Sequence, residues 1–234
     1  MGVTLLPSFQ PGLTALIVGA TGGIGGAFAA LLDADPAVAS VTRWSRSSGV
    51  DLTDPASIER AAAALTVAPD LVFIATGVLH GAGLAPEKAN NQLSAEALST
   101  AFAINTIGPA LVARAVLPLM PKGRKTVLAA LSARVGSISD NRLGGWHSYR
   151  ASKAALNQLI HTMAIEQARR SPEQILLALH PGTVDSGLSK PFQKGVKTLF
   201  TPEESACHLL RVIDQATPAH SGLLLDWQGE VIPF

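Results

Sequence analysis

The chain has 234 residues, 47% of them hydrophobic and 15% charged, so it holds ample material for one large core. No linker, repeat or charge block divides it, and one domain over 1–234 is expected. A formal net charge of +1 with no basic stripe excludes a nucleic-acid binder, the single Cys207 excludes an internal disulfide, and the histidines lack ligand spacing, so no metal is expected.

At the N-terminus no basic region precedes an apolar run, and Leu6 stands where a myristoylation site opening Met1-Gly2 needs Ser or Thr. No apolar stretch reads as a membrane span, so the expectation is a cytoplasmic protein without a membrane partner.

The first buried strand is predicted at Thr14–Val18 and runs into Gly19-Ala20-Thr21-Gly22-Gly23-Ile24-Gly25. Glycines here allow a tight turn and let the backbone approach a phosphate, while the free N–H groups of a helix starting near Ile24 face a pyrophosphate. A second strand is predicted at Val38–Trp44 and a short third one just before Asp51-Leu52. Asp54-Pro55 then reads as the N-cap and first position of a helix. The strand at Asp70–Ala75 runs into Thr76-Gly77.

Ser94 caps the long apolar stretch from Ala95 to Met120, which Pro109 should kink or loosen. Asn105 inside that stretch needs partners if buried, and a backbone bulge with a lysine-bound water would supply them. Further strands are predicted at Lys125–Leu131, Ile175–His180 and Gly222–Trp227, with Thr201-Pro202 opening a late helix. Most strands are apolar on both faces, as in a parallel sheet covered twice by helices. The strand–helix alternation gives an α/β, doubly wound sheet, whose ligands bind beyond the carboxyl ends of the strands.

Tyr149 and Lys153 lie four residues apart in a helical run, so both side chains leave the same face. An ammonium beside a phenol favours the phenolate and pulls its pKa down from about 10. A phenol so tuned exchanges a proton with a carbonyl or alcohol oxygen.

Taken in order, these features resemble the short-chain dehydrogenase/reductase family. Gly19, Gly23 and Gly25 match its nucleotide loop. Asp51-Leu52 looks like its adenine-contacting aspartate segment, and Ala75-Thr76-Gly77 stands where the family commonly has Asn-Asn-Ala-Gly. Asn105 matches the catalytic asparagine, Tyr149 and Lys153 the Tyr-x-x-x-Lys motif, and Pro181-Gly182-Thr183-Val184 the segment over the nicotinamide. The Pro86-Glu87-Lys88 segment, the YRASKAALN run and the ending at Asp226–Glu230 resemble the branch of C-factor-like and sniffer-type carbonyl reductases.

The resemblance implies a single-domain Rossmann-type fold, an NAD(P) cofactor and hydride transfer to or from a carbonyl or alcohol carbon. It gives Tyr149 the role of general acid or base and Lys153 that of tuning it and holding the nicotinamide ribose. Asn105 would hold a relay water, and a serine would bond the substrate oxygen. That serine normally stands three residues before a glycine, where this chain has Ala133; Ser132 is the candidate, with Ser137 and Ser139 as alternatives. The family also implies a homodimer through the helices around Asn105 and Tyr149. A nucleotide-bound sensor without turnover is the rival reading, since fold alone does not fix activity.

No acid ends the second strand to meet the ribose hydroxyls of NAD. Arg46, with Arg43 as alternative and Ser45 or Ser47 assisting, suits a 2′-phosphate, so NADP(H) is favoured over NAD(H). The stretch from Ser186 to Phe200 reads as a lid whose Leu188, Pro191, Phe192, Val196, Leu199 and Phe200 form an apolar wall, with Lys190, Lys194 and Lys197 solvated. His147 is read as lining a loop, and Trp44 and Trp227 as packing residues.

Overall fold

The computed structural model describes residues 4–81, 83–196 and 198–234, so the expectations at Met1-Gly2 and Lys197 lie outside the described residues. Six parallel strands form one sheet in the order β2-β1-β3-β4-β5-β6. They are β1 (Leu13–Val18), β2 (Val38–Trp44), β3 (Leu71–Ile74), β4 (Thr126–Leu131), β5 (Gln174–His180) and β6 (Leu224–Asp226). The helices are α1 (Gly23–Ala34), α2 (Pro55–Ala63), α3 (Ala95–Phe102), α4 (Gly108–Val116), α5 (His147–Ala168) and α6 (Pro202–Gln215).

The strands divide their side chains by alternation, two residues per repeat. Ile17, Phe73, Ala129 and Leu177 pack with Phe28 of α1 and Leu209 of α6 on one face. Leu16, Val72, Leu128 and Leu176 pack with Ile58 of α2, Val112 of α4 and Leu156 of α5 on the other. Burial on both faces explains why β3 and β4 read as unbroken apolar runs. Only the edge strand β2 is largely exposed.

The expected short strand before Asp51 is absent. After β2 the chain makes a 3₁₀ turn over Arg46–Ser48, and Val50 N bonds back to Ser45 O at 3.0 Å, so no strand pairing forms there. Asp54, Ser94 and Thr201 cap α2, α3 and α6 as expected, Thr201 with Glu204 in a reciprocal capping box.

The segment Ala95–Leu119 is, by length and composition, apolar enough to cross a membrane, contrary to the sequence expectation. It is a packed element of the domain: Val112, Ala113 and Val116 are fully buried in the sheet-covering layer. Between α3 and α4 the backbone widens into a π turn over Ala103–Ile107. Pro109 has no N–H for the carbonyl of Asn105, and its ring crowds that carbonyl in a regular α-helix, which accounts for the widening one turn upstream.

Because β1 lies between β2 and β3, the chain reverses direction across the sheet there. The loops after β1 and β3 therefore flank the crevice where such sheets bind ligands.

Candidate active site

The loop after β1 is closed by contacts only glycine permits. Gly19 has φ +87°, and a side-chain carbon at Gly25 would stand 2.3 Å from Gly19 O. Gly22 N donates to Gly19 O at 3.0 Å, and α1 begins with no side-chain cap and no acid in its first turn. Its N-terminal N–H groups thus carry the positive end of the helix dipole towards the crevice. Thr21 and Gly22 are exposed beside it, Ile24 is half-buried, and Gly23 lies next to Ser186 and Pro202.

The loop after β3 crosses the same crevice. Ala75 N bonds Val18 O at 2.7 Å, and Thr76 Oγ1 is buried without a partner. A buried hydroxyl left unpaired marks a place where a ligand can complete the bonding. Dinucleotide phosphates and ribose fit this cradle of an open helix end, close-packed glycines and an orphaned hydroxyl.

Gly77 is the meeting point of the proposed catalytic groups. A side-chain carbon placed on it would stand 3.5 Å from Asn105 Oδ1 and 3.6 Å from Lys153 Nζ. Asn105 is fully buried, and its amide is committed to protein partners. Oδ1 accepts from Val78 N at 2.8 Å, while Nδ2 donates to Val78 O at 2.9 Å and to Ser152 Oγ at 3.1 Å. Both amide donors are used, and the protein partners of the amide are the Val78 backbone and Ser152.

Lys153 is buried and donates to Leu131 O at 2.7 Å, its Nζ lying 5.9 Å from the centre of the Tyr149 ring. Burial pushes the lysine pKa down to about 7 and the Tyr149 phenol up to about 12. The direction is thus opposite to the expected depression of the phenol. Desolvation weakens the charge of the very cation that was to stabilise the phenolate, and burial is the larger effect on both groups.

The serines stand elsewhere. Ser132 is buried and donates to Asn157 Oδ1 at 2.6 Å, two helical turns along α5 from Tyr149. Ser137 donates to Pro233 O, and Ser139 is exposed with its N–H on Phe234 O. Ser132 and Ala133 follow the end of β4 at Leu131, and both are buried. The structure gives Ser132 a place in the α5 packing and brings none of these three hydroxyls into a hydrogen bond with Tyr149.

At the end of β2, Arg43 pairs with Asp33 and also bonds Val41 O at 3.1 Å. Arg46 is exposed and makes no ion pair among the described residues. Ser45 and Ser47 hydroxyls meet at 2.7 Å beside it. Asp51 folds onto Thr53, whose N–H and hydroxyl hold its carboxyl below the usual range with help from Arg46. Leu52 packs against Gly108 of α4.

After β5, Pro181 O accepts from Ser205 and Gly182 lies under the Phe200 ring. Thr183 O accepts from Phe200 N at 2.9 Å, and buried Val184 pairs with Phe200. Of the expected lid wall, Leu188 reaches towards Gly77 and Phe192 stacks edge-on to Trp146 with centroids 5.0 Å apart. Pro191 and Leu199 are exposed, and Phe200 turns to Trp227 and His208. Lys190 and Lys194 are exposed, and His147 bonds Asn90 in the loop after β3.

Sequence reasoning missed Trp146, which lies edge-on to Tyr149 at 6.3 Å, and Ser152, which links Asn105 to Tyr149 O. Only the spacing of Ser152 from Tyr149, three residues on a helix, could have pointed to it.

A dinucleotide cradle at the crevice and a Tyr–Lys pair facing Asn105 define a nucleotide-dependent oxidoreductase of the doubly wound class. Residues 46–197 match the family model for short chain dehydrogenase, and the chain belongs to that family. It is 36% identical over 192 residues to the 1-hydroxy-2-glutathionyl-2-methyl-3-butene dehydrogenase of Rhodococcus sp. (strain AD45), covering 81% of this chain and 79% of that protein. It is 36% identical over 137 residues to C-signal of Myxococcus xanthus, covering 58% and 78%.

Among solved structures, the NADPH-bound carbonyl reductase from chicken fatty liver superposes with a TM-score of 0.80 at 26% identity, over 96% of this chain and 100% of that one. The carbonyl reductase Sniffer of D. melanogaster gives 0.79 at 17% identity over 96% and 100%, a likeness of fold alone. The protein is an oxidoreductase, and the sensor reading gives way to that assignment.

Proposed function

We propose that the protein reduces an aldehyde or ketone to an alcohol with NADPH, Tyr149 donating the proton. The observation that carries this reading is the convergence of Asn105, Lys153 and the Gly77 loop beside Tyr149. The phenol is protonated at neutral pH, as a donor must be, and the burial that raises it to about 12 makes it a weaker acid than a free phenol. The reduced nicotinamide, when bound, supplies the hydride.

Within this reading, Gly19, Thr21, Gly22, Gly23, Ile24 and Gly25 receive the pyrophosphate. Ser45 and Arg46 receive a 2′-phosphate, and Asp51 with Leu52 borders the adenine. Ala75, Thr76, Gly77 and Pro181 to Val184 line the nicotinamide half. Lys153 holds the ribose hydroxyls, and its Leu131 bond fixes where its nitrogen stands. Asn105 contributes through its main-chain carbonyl, left without the Pro109 N–H, because its amide is occupied. No serine is assigned to the substrate oxygen.

Trp146, Phe192 and Leu188 favour an apolar carbonyl substrate. The names of two relatives, a hydroxy-compound dehydrogenase of Rhodococcus and a carbonyl reductase of chicken, support this substrate class. A cytoplasmic homodimer belongs to the same proposal, with Ile107, Leu159 and Ile165 exposed on the helices concerned.

The test is turnover of NADPH with a panel of aldehydes, ketones and quinones. Tyr149→Phe is expected to lose about 10²–10⁴-fold in turnover with NADPH affinity nearly unchanged. A Phe variant within a few-fold of wild type would remove Tyr149 from the chemistry.

A further inference from the structure

Three consecutive residues ahead of α5 lie in the left-handed region: Gly144 at φ +65°, Gly145 at +66° and Trp146 at +53°. Trp146 is the one non-glycine residue there among those described, and its Cβ is crowded in that conformation. A residue persists in such a state only where its surroundings over-determine it. Trp146 also occupies the N-cap of α5, a position that usually belongs to Ser, Thr, Asp or Asn, and supplies no side-chain cap. The first-turn N–H groups of the helix must therefore find acceptors elsewhere.

Glu87, 61 positions before Ser148, meets that need. Its Oε2 accepts from Ser148 N at 3.1 Å, its Oε1 accepts from the Ser148 hydroxyl, and its main-chain oxygen accepts from Trp146 N at 2.5 Å. The residue is 3% exposed, and the proton-transfer chemistry has no use for it. From the other side Arg150 donates to Gly145 O at 3.0 Å, Val135 O at 3.2 Å and Gly144 O at 3.3 Å. The turn is clamped between the two.

A cap alone would need only a short polar residue at the N-cap itself. Here that place is given to an indole lying edge-on to Tyr149 and to Phe192, and the capping duty is moved to a buried carboxylate on another loop. Tyr149 follows Ser148 directly, so whatever fixes Ser148 and Trp146 fixes the phenol. Proton transfer tolerates little misplacement of its donor.

We propose that Glu87 is a positioning residue for Tyr149, holding the Trp146–Ser148 turn so that the phenol stands where a substrate oxygen can meet it. This rests on the reading of Tyr149 as proton donor. The hydrogen-bond geometry, more than the charge, carries the role, because a glutamine amide keeps both contacts: its oxygen accepts from Ser148 N and its NH2 donates to the Ser148 hydroxyl oxygen.

The test uses the full chain with Glu87→Ala, Glu87→Gln and Ser148→Ala, and NADPH with 9,10-phenanthrenequinone as the carbonyl probe. Tyr149 is the chain's only tyrosine, so a sample labelled with ¹³C-tyrosine reports its ring alone. In Glu87→Ala, kcat is expected to fall at least about 10-fold, with NADPH affinity kept within about 2-fold. The Tyr149 ring resonance should move as well. Glu87→Gln should restore both readouts, and Ser148→Ala should fall between them.

If Glu87→Ala does not fold, loss of kcat with a displaced ring resonance in Ser148→Ala carries the same weight. Turnover within about 2-fold of wild type in that variant or in Glu87→Ala, whatever its melting temperature, overturns the proposal. So does an unmoved ring resonance. Should Tyr149→Phe itself remain active, the proton-donor reading fails; an inactive Tyr149→Phe beside an unimpaired Glu87→Ala sinks the positioning role alone.

Discussion

Lys153 is buried and Tyr149 half-buried beside it, and neither is comfortable there as an ion. Because no other tyrosine is present, absorbance near 295 nm follows Tyr149 without interference. In the cofactor-free protein the phenol is expected to titrate near 12, returning to about 10 on unfolding. A midpoint at or below that of free tyrosine would restore the lysine-depressed phenol that the spacing suggests.

The same two shifts act on stability with opposite signs. Between about 7 and 10.5 the unfolded chain holds a proton on this lysine that the fold does not, so stability rises with pH. From 10 through about 12 the fold retains the phenol proton that the unfolded chain loses, so stability falls. Melting curves of wild type and Lys153→Met across pH should differ by that rising limb, and identical limbs would contradict the buried lysine.

The Tyr–Lys spacing was legible because a helix maps four residues onto one face. The shift directions were not, since desolvation depends on what packs over the pair. Ser132 illustrates the same limit: sequence places a hydroxyl next to the right position, but the packing of the loop after β4 on α5 gives it to Asn157. Ser132→Ala is accordingly expected to lower kcat less than about 3-fold while costing about 1 kcal/mol in denaturant unfolding. A loss of 10² or more in kcat would return the serine to the active site.

The helix pair α3–α4 shows how one element carries both fold and chemistry. Pro109 signals a disturbance in the sequence, and the disturbance takes the form of a π turn centred on Asn105. The wider turn gives the Asn105 amide its reach to Val78, stapling the loop after β3 to the helix layer. Removing that amide in Asn105→Ala leaves the Val78 N–H and C=O without these partners, and Ser152 loses a donor. The expected cost is about 1–3 kcal/mol in chemical denaturation, with a parallel loss of turnover. A variant as stable as wild type would mean that water or a shifted backbone replaces the amide freely.

Helix starts were readable wherever a local motif makes them, as at Asp54-Pro55 and Thr201-Pro202, because caps bond within three residues. The start of α5 was not, because its cap arrives from Glu87 in another loop. The missing strand before Asp51 belongs to the same class: a 3₁₀ turn and an Asx-type bond from Asp51 to Thr53 satisfy that backbone locally.

At the scale of the whole molecule, the strand order decides where a nucleotide can lie, and periodicity alone gave the layers without that order. Alternating apolar residues announce a sheet buried on both sides, but neighbours such as β1 and β3 are set by crossovers that no local pattern records. With the order known, the tip of β2 borders the same crevice as the glycine loop, since Gly19 N bonds Trp44 O at 2.8 Å. The two arginines there are then distinguishable. Arg43 is engaged by Asp33, whereas Arg46 has its guanidinium in solvent beside the Ser45–Ser47 hydroxyls. A planar guanidinium binds two phosphate oxygens at once, and nothing comparable there would reward the bare ribose hydroxyls of NADH.

A ligand that binds only the folded chain raises its stability by about 2.7 kcal/mol at 100 times its dissociation constant, which for a chain of this size moves the melting temperature by about 5–10 °C. NADPH should produce such a shift at a concentration where NADH produces much less. In Arg46→Ala the two shifts should become equal, through loss of the NADPH response and with the NADH response kept. Equal shifts in wild type, or a variant that loses both responses together, would remove Arg46 as the discriminating contact and leave the phosphate to the serine hydroxyls.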